Sequence, residues 1–195
     1  MMNKVRFNLK NVHIAKLTTD EDGTITYGVP KKIPGAVEIS LDPEGDSSPF
    51  NADGITYYLC NSNNGYSCEL TIALIPDWFE EEYLSSILSD DGDLIEDAAK
   101  EPKPFAFLFQ FDGDVKATRH ILYNCLASRS KISGKTTSDK KEPDTDVMSM
   151  KAMPIECGEK NIVKGRTTDT SKNYAVWFDK APTLPTFTAP VQEGA

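Results

Sequence analysis

The sequence has few of the side chains that metal binding and catalysis most often use. Its 195 residues include only two histidines, His13 and His120, far apart along the chain. The four cysteines contain no CxxC pair, whereas a zinc site needs three or four ligands in a compact pattern. They are Cys60, Cys68, Cys125 and Cys157. We therefore expect a non-enzymatic protein with no metal and no cofactor.

Long apolar runs are also missing. The longest, Phe105–Phe109, is far shorter than the roughly 20 residues of a membrane-spanning helix. Residues 1–10 alternate apolar with polar side chains, unlike a secretory signal, so we expect synthesis in a cytoplasm and no membrane attachment. Cys60 and Cys68 are spaced to face each other across a hairpin, but thiols in a cytoplasm are expected to stay reduced.

Basic side chains are absent from the whole span 33–99, which carries 15 acidic ones. Residues 116–141 show the opposite bias, with seven Lys or Arg and one Asp. The net charge of −9 argues against a protein that grips duplex DNA through a basic face. Chance, with an acidic helix and acidic turns, is one explanation of the acidic span. Separated patches of opposite sign would also suit head-to-tail association of identical subunits.

Alternation of apolar and polar residues predicts a protein built mainly from β-strands. The segments with this two-residue period are 4–10, 24–27, 37–41, 55–60, 66–75, 105–111, 117–130, 144–157 and 173–179. One helix is predicted over 77–89, with Asp77 as its N-cap and Phe79, Tyr83 and Leu84 on one face. The fold class is therefore mainly β with one flanking α-helix, a β-sandwich or barrel.

Residues 42–54 interrupt the alternation. They contain two prolines and two glycines, which predicts a long irregular loop. Such loops are usually functional or mobile, and Phe50 is a candidate anchor for a pocket on this chain or a neighbour. The two segments that follow this loop, 55–60 and 66–75, are predicted to pair with each other as a hairpin. We expect one domain over 1–180 and a proline-containing tail over 181–195.

Several short motifs, in this order, resemble the major tail tube proteins of long, non-contractile-tailed bacteriophages. The resemblance covers roughly residues 3–180, and its specificity comes from the order of the motifs, each of which is weak alone. The motifs are Ile33-Pro34-Gly35-Ala36-Val37, Leu41-Asp42-Pro43-Glu44-Gly45-Asp46, Ser48-Pro49-Phe50, Asn64-Gly65-Tyr66, Ala73-Leu74-Ile75-Pro76-Asp77, Lys103-Pro104-Phe105-Ala106, Phe111-Asp112-Gly113-Asp114 and Ala117-Thr118-Arg119-His120.

The resemblance implies a structural protein of the virion tail, assembled in the host cytoplasm. Subunits of that family form hexameric rings whose inner strands join into one continuous β-barrel. The rings stack into a tube that conducts DNA into the host without binding it specifically. The implied partners are further copies of the chain, a tape measure protein, and tail terminator and distal tail proteins.

The resemblance also implies roles for particular residues. The loop 42–54 corresponds to a ring-stacking loop, with Asp42, Glu44, Asp46, Phe50 and Asp53 as candidate contacts. Glu69 is the candidate lumen carboxylate, because a negative lining would repel the phosphate backbone. The basic candidates for contacts between subunits are Arg129, Lys131, Lys135, Lys140 and Lys141.

Two other classes of protein remain open from the residues alone. One is a carbohydrate-binding or adhesive β-sandwich, with Trp78, Trp177 or tyrosines as sugar platforms. The other is a hydrolase that uses paired carboxylates in an acidic cleft. The inner tube of a contractile tail is a close variant of the tail tube interpretation.

Overall fold

A computed structural model describes residues 3–132, 134, 136 and 143–187 of the chain. These residues form fifteen strands and one helix, so the predicted class, mainly β with one flanking helix, is confirmed. The elements are β1 (Arg6–Thr19), β2 (Ile25–Tyr27), β3 (Lys31–Lys32), β4 (Ala36–Glu44), β5 (Ser47–Ala52), β6 (Ile55–Asn61), β7 (Gly65–Ile72), α1 (Asp77–Tyr83), β8 (Ser86–Leu88), β9 (Leu94–Glu96), β10 (Phe105–Gly113), β11 (Thr118–Ala127), β12 (Asp146–Ala152), β13 (Ile155–Cys157), β14 (Lys160–Ile162) and β15 (Lys164–Thr167).

Nine strands form one sheet, and three separate pairs form small hairpins. The order in the sheet is β2-β1-β10-β11-β12-β7-β4, with β3 on β1 and β15 on β11. The hairpins are β5–β6, β8–β9 and β13–β14. The pairing of β1 with β10 shifts register twice, and Asn8 and Asn11 at these shifts have positive φ angles of 52°. Such bulges bend a strand.

The central hairpin, β10–β11, is buried on both faces, as the apolar residues on both sides of 117–130 predict. One face carries Phe105, Phe107 and Phe109, which pack with β4, β7, β12 and α1 in the main core. The other face carries Ala106 and Leu108, which pack with Tyr27 and Ile155 in a second core. The sheet therefore folds over the main core like a sandwich, and residues before and after β15 cover its other side, among them Ile155, Ile162, Trp177, Phe178 and Leu184.

The helix is shorter than predicted. It ends at Tyr83, because Leu84 is extended and the following residues enter β8. The acidic residues after Leu88 form the turn of the β8–β9 hairpin, in which Ser89 N–H donates to the Asp93 carbonyl (2.8 Å). The N-cap is Pro76 rather than Asp77, which is the first helical residue.

Two strand predictions were wrong. β6 pairs with β5 and not with β7, which lies instead between β4 and β12. Cys60 and Cys68 therefore do not face each other; both are free, the first exposed and the second buried. The segment 173–179 forms successive turns instead of a strand, and its Phe178 ring stacks on His13 (4.7 Å between centroids).

The short strands β13, β14 and β15 were not separately predicted. The described part of the predicted tail, 181–187, has no regular secondary structure. It nevertheless packs on the domain, where Leu184 contacts the second core and the Cys157 thiol donates to the Pro185 carbonyl (3.1 Å).

Candidate functional site

The segment predicted as an irregular loop forms a two-stranded arm, β5–β6, that extends the β4–β7 ladder. Each arm strand is six or seven residues long, so the arm reaches about 20 Å beyond its base. The turn at its tip is Asp53-Gly54, and both residues have positive φ angles (54° and 78°), as a two-residue hairpin of the primed type requires.

Prolines mark this segment but do not break the strands. Pro43 lies in β4, the edge strand of the sheet, and Pro49 lies in a ribbon that has only edges. A proline on an edge can turn its missing N–H toward solvent without the loss of a ladder hydrogen bond. This is why the expectation of an irregular loop failed.

The arm exposes large apolar side chains on both faces. Phe50 and Tyr58 form a cross-strand pair and are 60% and 63% exposed. Leu59, opposite Pro49, is exposed on the other face, and Ile55 is exposed beside the tip. The register shifts between Phe50 and Asn51, which leaves Tyr57, 73% exposed, outside the pairing. A two-stranded ribbon is marginally stable alone in water, and contiguous exposed apolar surface marks interaction sites.

The base of the arm is held firmly. Asp46 N–H donates to Ser62 Oγ (2.8 Å), and Ser62 N–H donates to the Asp46 carbonyl (2.9 Å). The Asn64 N–H donates to the Glu44 carbonyl (2.9 Å), which continues the ladder into β4 and β7. A Cβ on Gly45 would lie 2.1 Å from the Ser62 carbonyl oxygen. Glycine is therefore needed where the two backbone segments at the base of the arm pass each other.

The five candidate contacts of this segment fall into three positions. Asp42 and Glu44 belong to β4, Asp46 lies at the base of the arm, and Phe50 and Asp53 lie in the arm itself. Glu44 forms a salt bridge with Lys151 on β12 (2.6 Å). The arm has no basic residue of its own, so it presents the Asp53 carboxylate near exposed aromatic rings.

Glu69 lies on the exposed face of β7, between Ser40 on β4 and Ser149 on β12. Apart from the exposed Val147 on β12, this face is polar along the three strands, and it also carries Glu38 and Lys151. Cys68 and Leu70 point the other way into the main core. The alternation predicted for β7 is therefore present, and whether the Glu69 face lines a lumen stays a prediction.

The basic candidates are described only in part. Arg129 donates to Glu96 Oε1 (2.7 Å) at the β8–β9 hairpin, and this contact raises the pKa of the guanidinium. Lys131 is exposed just beyond β11. Lys135, Lys140 and Lys141 lie outside the described residues.

Sequence reasoning missed a second feature, which we call the basic cleft. It is a cavity of about 540 Å³ at the open side of the main core, between β4, β7 and the β10, β11 and β15 side of the sheet. Three cations line it, Arg6, Lys164 and Arg166, and none of its described lining residues is acidic. Arg6 lies far along the chain from Lys164 and Arg166, so no single charge run indicated the three together.

Aromatic rings contact two of the three cations of the basic cleft, Lys164 and Arg6. Lys164 Nζ lies 4.2 Å from the centre of the Tyr66 ring, and Arg6 Cζ lies 5.0 Å from that of Phe111. His120 stacks on Phe109 with 5.0 Å between ring centres. Burial and the neighbouring cations Arg166, Arg6 and Lys164 lower the pKa of His120 to about 4, so its ring is neutral at pH 7.

The two tryptophans that suggested a carbohydrate-binding function are engaged within the domain. Trp78 is half-buried under the Lys31 ammonium (3.6 Å to the ring centre), and Trp177 packs on the second core. Burial, Asp77 and Asp146 raise the pKa of Glu80, but Glu80 lines neither the basic cleft nor a larger cavity of about 800 Å³ beside β15.

Within the described ranges, no group of three or more His, Cys, Asp or Glu is placed to hold a metal ion. No helix in this part of the chain has the length and hydropathy to cross a membrane.

No family model and no curated protein matches the chain. Among solved structures it is similar to a tube terminating cap. That protein is the cap of the anti-feeding prophage, solved by cryo-electron microscopy. The TM-score is 0.48 with 8% sequence identity, and the match covers 84% of this chain and 93% of the cap chain.

Proposed function

We propose that this protein is a non-enzymatic structural subunit of a phage virion tail that assembles with further copies of itself into a tube. More specifically, we propose that the subunits form hexameric rings, that the rings stack through the β5–β6 arm, and that DNA passes through the lumen at ejection. The ordered motifs of the sequence suggest the family, and the exposed arm is the structural observation that supports self-assembly.

The arm supports this function because it is hard to explain in a monomer. Its apolar side chains are exposed on both faces, so the ribbon cannot bury them by lying flat against its own domain. A partner that encloses the ribbon would cover both faces. The firm base and the extended ladder suit an arm that reaches into a neighbouring subunit.

The acidic span has a role in the same proposal. A lumen with few cations gives DNA no favourable phosphate contacts at which to stop. Glu69 and Glu38 lie on one exposed face of the sheet, where Lys151 is paired with Glu44, and this face is the candidate lining. Tape measure, terminator and distal tail proteins are the further partners that this function requires.

Self-assembly of the full purified chain tests the proposal. Light scattering after size-exclusion chromatography, over a hundredfold range of protein concentration, should show rings or polymers, and negative-stain microscopy should show tubes. Monomers at every concentration, with no tubes, would overturn it. Binding of the monomer to a glycan array would then favour the carbohydrate-binding alternative, with Tyr57 and Tyr58 as its exposed rings.

A further inference from the structure

We propose that the basic cleft is the receptor for the tip of the β5–β6 arm of a second copy of this chain. The contact is head-to-tail, since each copy offers one arm and one cleft. The inference rests on the proposed self-assembly and goes beyond it by naming the receiving surface.

The charges of the two surfaces are complementary. The basic cleft gathers Arg6, Lys164 and Arg166, although the chain as a whole carries a net charge of −9. Within the described residues none of these three cations forms a salt bridge. The arm carries Asp53 at its tip and no basic residue. Opposite charges across an interface favour one orientation and speed the encounter.

The apolar parts of the two surfaces also match. The cleft has an aromatic and aliphatic lining that includes Tyr66, Phe111 and Leu41. The arm brings Phe50 and Ile55, which are exposed within a few residues of Asp53. A guanidinium stacked on a ring, as Arg6 is on Phe111, keeps its N–H donors free for a carboxylate. The cleft can therefore bind both the Asp53 carboxylate and the apolar side chains of the tip.

Geometry favours a second copy over the same chain. Ile39 to Leu41 and Tyr66, which line the cleft, lie on the strands from which the arm grows. The ladder runs on from these strands, so the tip of the arm lies about 20 Å beyond its base. The volume of about 540 Å³ is in the range of ordinary binding pockets and suits a narrow two-residue turn with its flanking side chains.

A mixing experiment with full-length variants tests the assignment. The cleft variant is Arg6→Glu/Arg166→Glu, and the arm variant is Phe50→Ser/Tyr58→Ser. Each should assemble at least tenfold more weakly than the unchanged protein in sedimentation velocity. Mixed together, they should pair one unit of each variant, a monomer or a ring, and grow no further along the stack, because the arm variant retains a cleft and the cleft variant retains an arm.

The matched control is Lys16→Glu/Lys103→Glu, which makes the same change of charge at exposed positions that do not line the cleft. It should assemble as the unchanged protein does, and an equal loss in this control would overturn the assignment. Asp53→Asn, which keeps a residue that tolerates positive φ, should weaken assembly several-fold and reduce its salt dependence. If Arg6→Glu/Arg166→Glu lowers the melting temperature, Arg6→Gln/Arg166→Gln serves as the cleft variant, and it too should assemble at least tenfold more weakly.

The outcomes separate this inference from the proposed function. If the arm variant fails to assemble but the cleft variant assembles normally, the arm docks elsewhere, and only the cleft assignment is overturned. If the unchanged protein never assembles, the proposed function fails and the cleft assignment fails with it. Absence of mixed pairs in the mixture, from two folded variants that each fail to stack, also overturns the cleft assignment.

Discussion

Replacement of Phe50 and Tyr58 by serine should weaken self-association strongly without destabilising the domain. An aromatic side chain offers about 200 Å² of surface, and these two are 60% and 63% exposed, so together they leave about 240 Å² in water. At about 25 cal/mol per Å², complete burial in a partner would stabilise the contact by about 6 kcal/mol. If half of that area is covered, the loss is about 3 kcal/mol, which is roughly two orders of magnitude in the dissociation constant.

The same substitutions should barely affect the monomer. Both side chains lie outside the two cores, and the local cost is that of one cross-strand aromatic pair, about 0.5–1 kcal/mol. We expect the melting temperature of the domain to change by no more than a few degrees. The assays are sedimentation equilibrium for association and circular dichroism for unfolding.

A matched control separates the arm from general surface apolarity. Val29 is 68% exposed but lies between β2 and β3, far from the arm in the sequence, and Val29→Ser should leave association unchanged. The reasoning is refuted if the Phe50 and Tyr58 variant associates like the unchanged protein. It is also refuted if the variant loses several kcal/mol of unfolding free energy, because the rings would then belong to the fold.

Three further predictions concern the sheet and its charges. Gly65→Ala should destabilise the domain by about 3 kcal/mol or more in denaturant unfolding, because the new Cβ would lie 1.9 Å from the Ala152 carbonyl oxygen at a φ of +103°. Gly54→Ala, which has open space at a φ of +78°, should cost only about 1–2 kcal/mol. The folded pKa of His120, about 4, lies below its ordinary value of 6.5, so the unfolded chain takes up the proton first as the pH falls. Stability should therefore drop between pH 6.5 and 4, by about 2 kcal/mol after allowance for partial exposure, and His120→Gln should flatten this part of the pH profile. In virions whose tubes carry Glu69→Lys, DNA ejection should slow at low salt, whereas Glu69→Gln should have a much smaller effect; equal rates for the lysine variant and the unchanged tube would contradict the lumen placement.

Sequence reasoning succeeded where local pattern and burial agree. The alternating phenylalanines of β10 and the segment that forms β11 were predicted as strands, because each signal is contained in a few adjacent residues. The alternation of Tyr174, Val176 and Phe178 led to a wrong strand prediction. Phe178 packs on the second core and stacks on His13, and Arg119 lies over the Tyr174 ring, so the spacing reflects these contacts and not strand pairing.

Strand partners were harder to predict than strands. β7 pairs with β4 and β12, which lie on either side of it in the sequence, so no adjacent hairpin signal identified them. The helix was extended too far because Ile87 and Leu88 continue its apolar spacing, although they pair with β9. The basic cleft depends on β1 and β15 both lying beside the β10–β11 hairpin, and no sequence spacing connects Arg6 with Arg166.

The way in which the arm joins the sheet determines how it would respond to a pull. β4 leads into the arm and β7 leads out of it at the same end of the sheet. A load on the tip would therefore pull both strands in the same direction and would not separate them. That load would reach β12 along the seven residue pairs from Ile72–Asp146 to Tyr66–Ala152. Because the hydrogen bonds of an antiparallel ladder lie across the strands, this load acts on them in shear, and they share it instead of opening one at a time. The sheet would thus resist a pull on the arm through many hydrogen bonds at once.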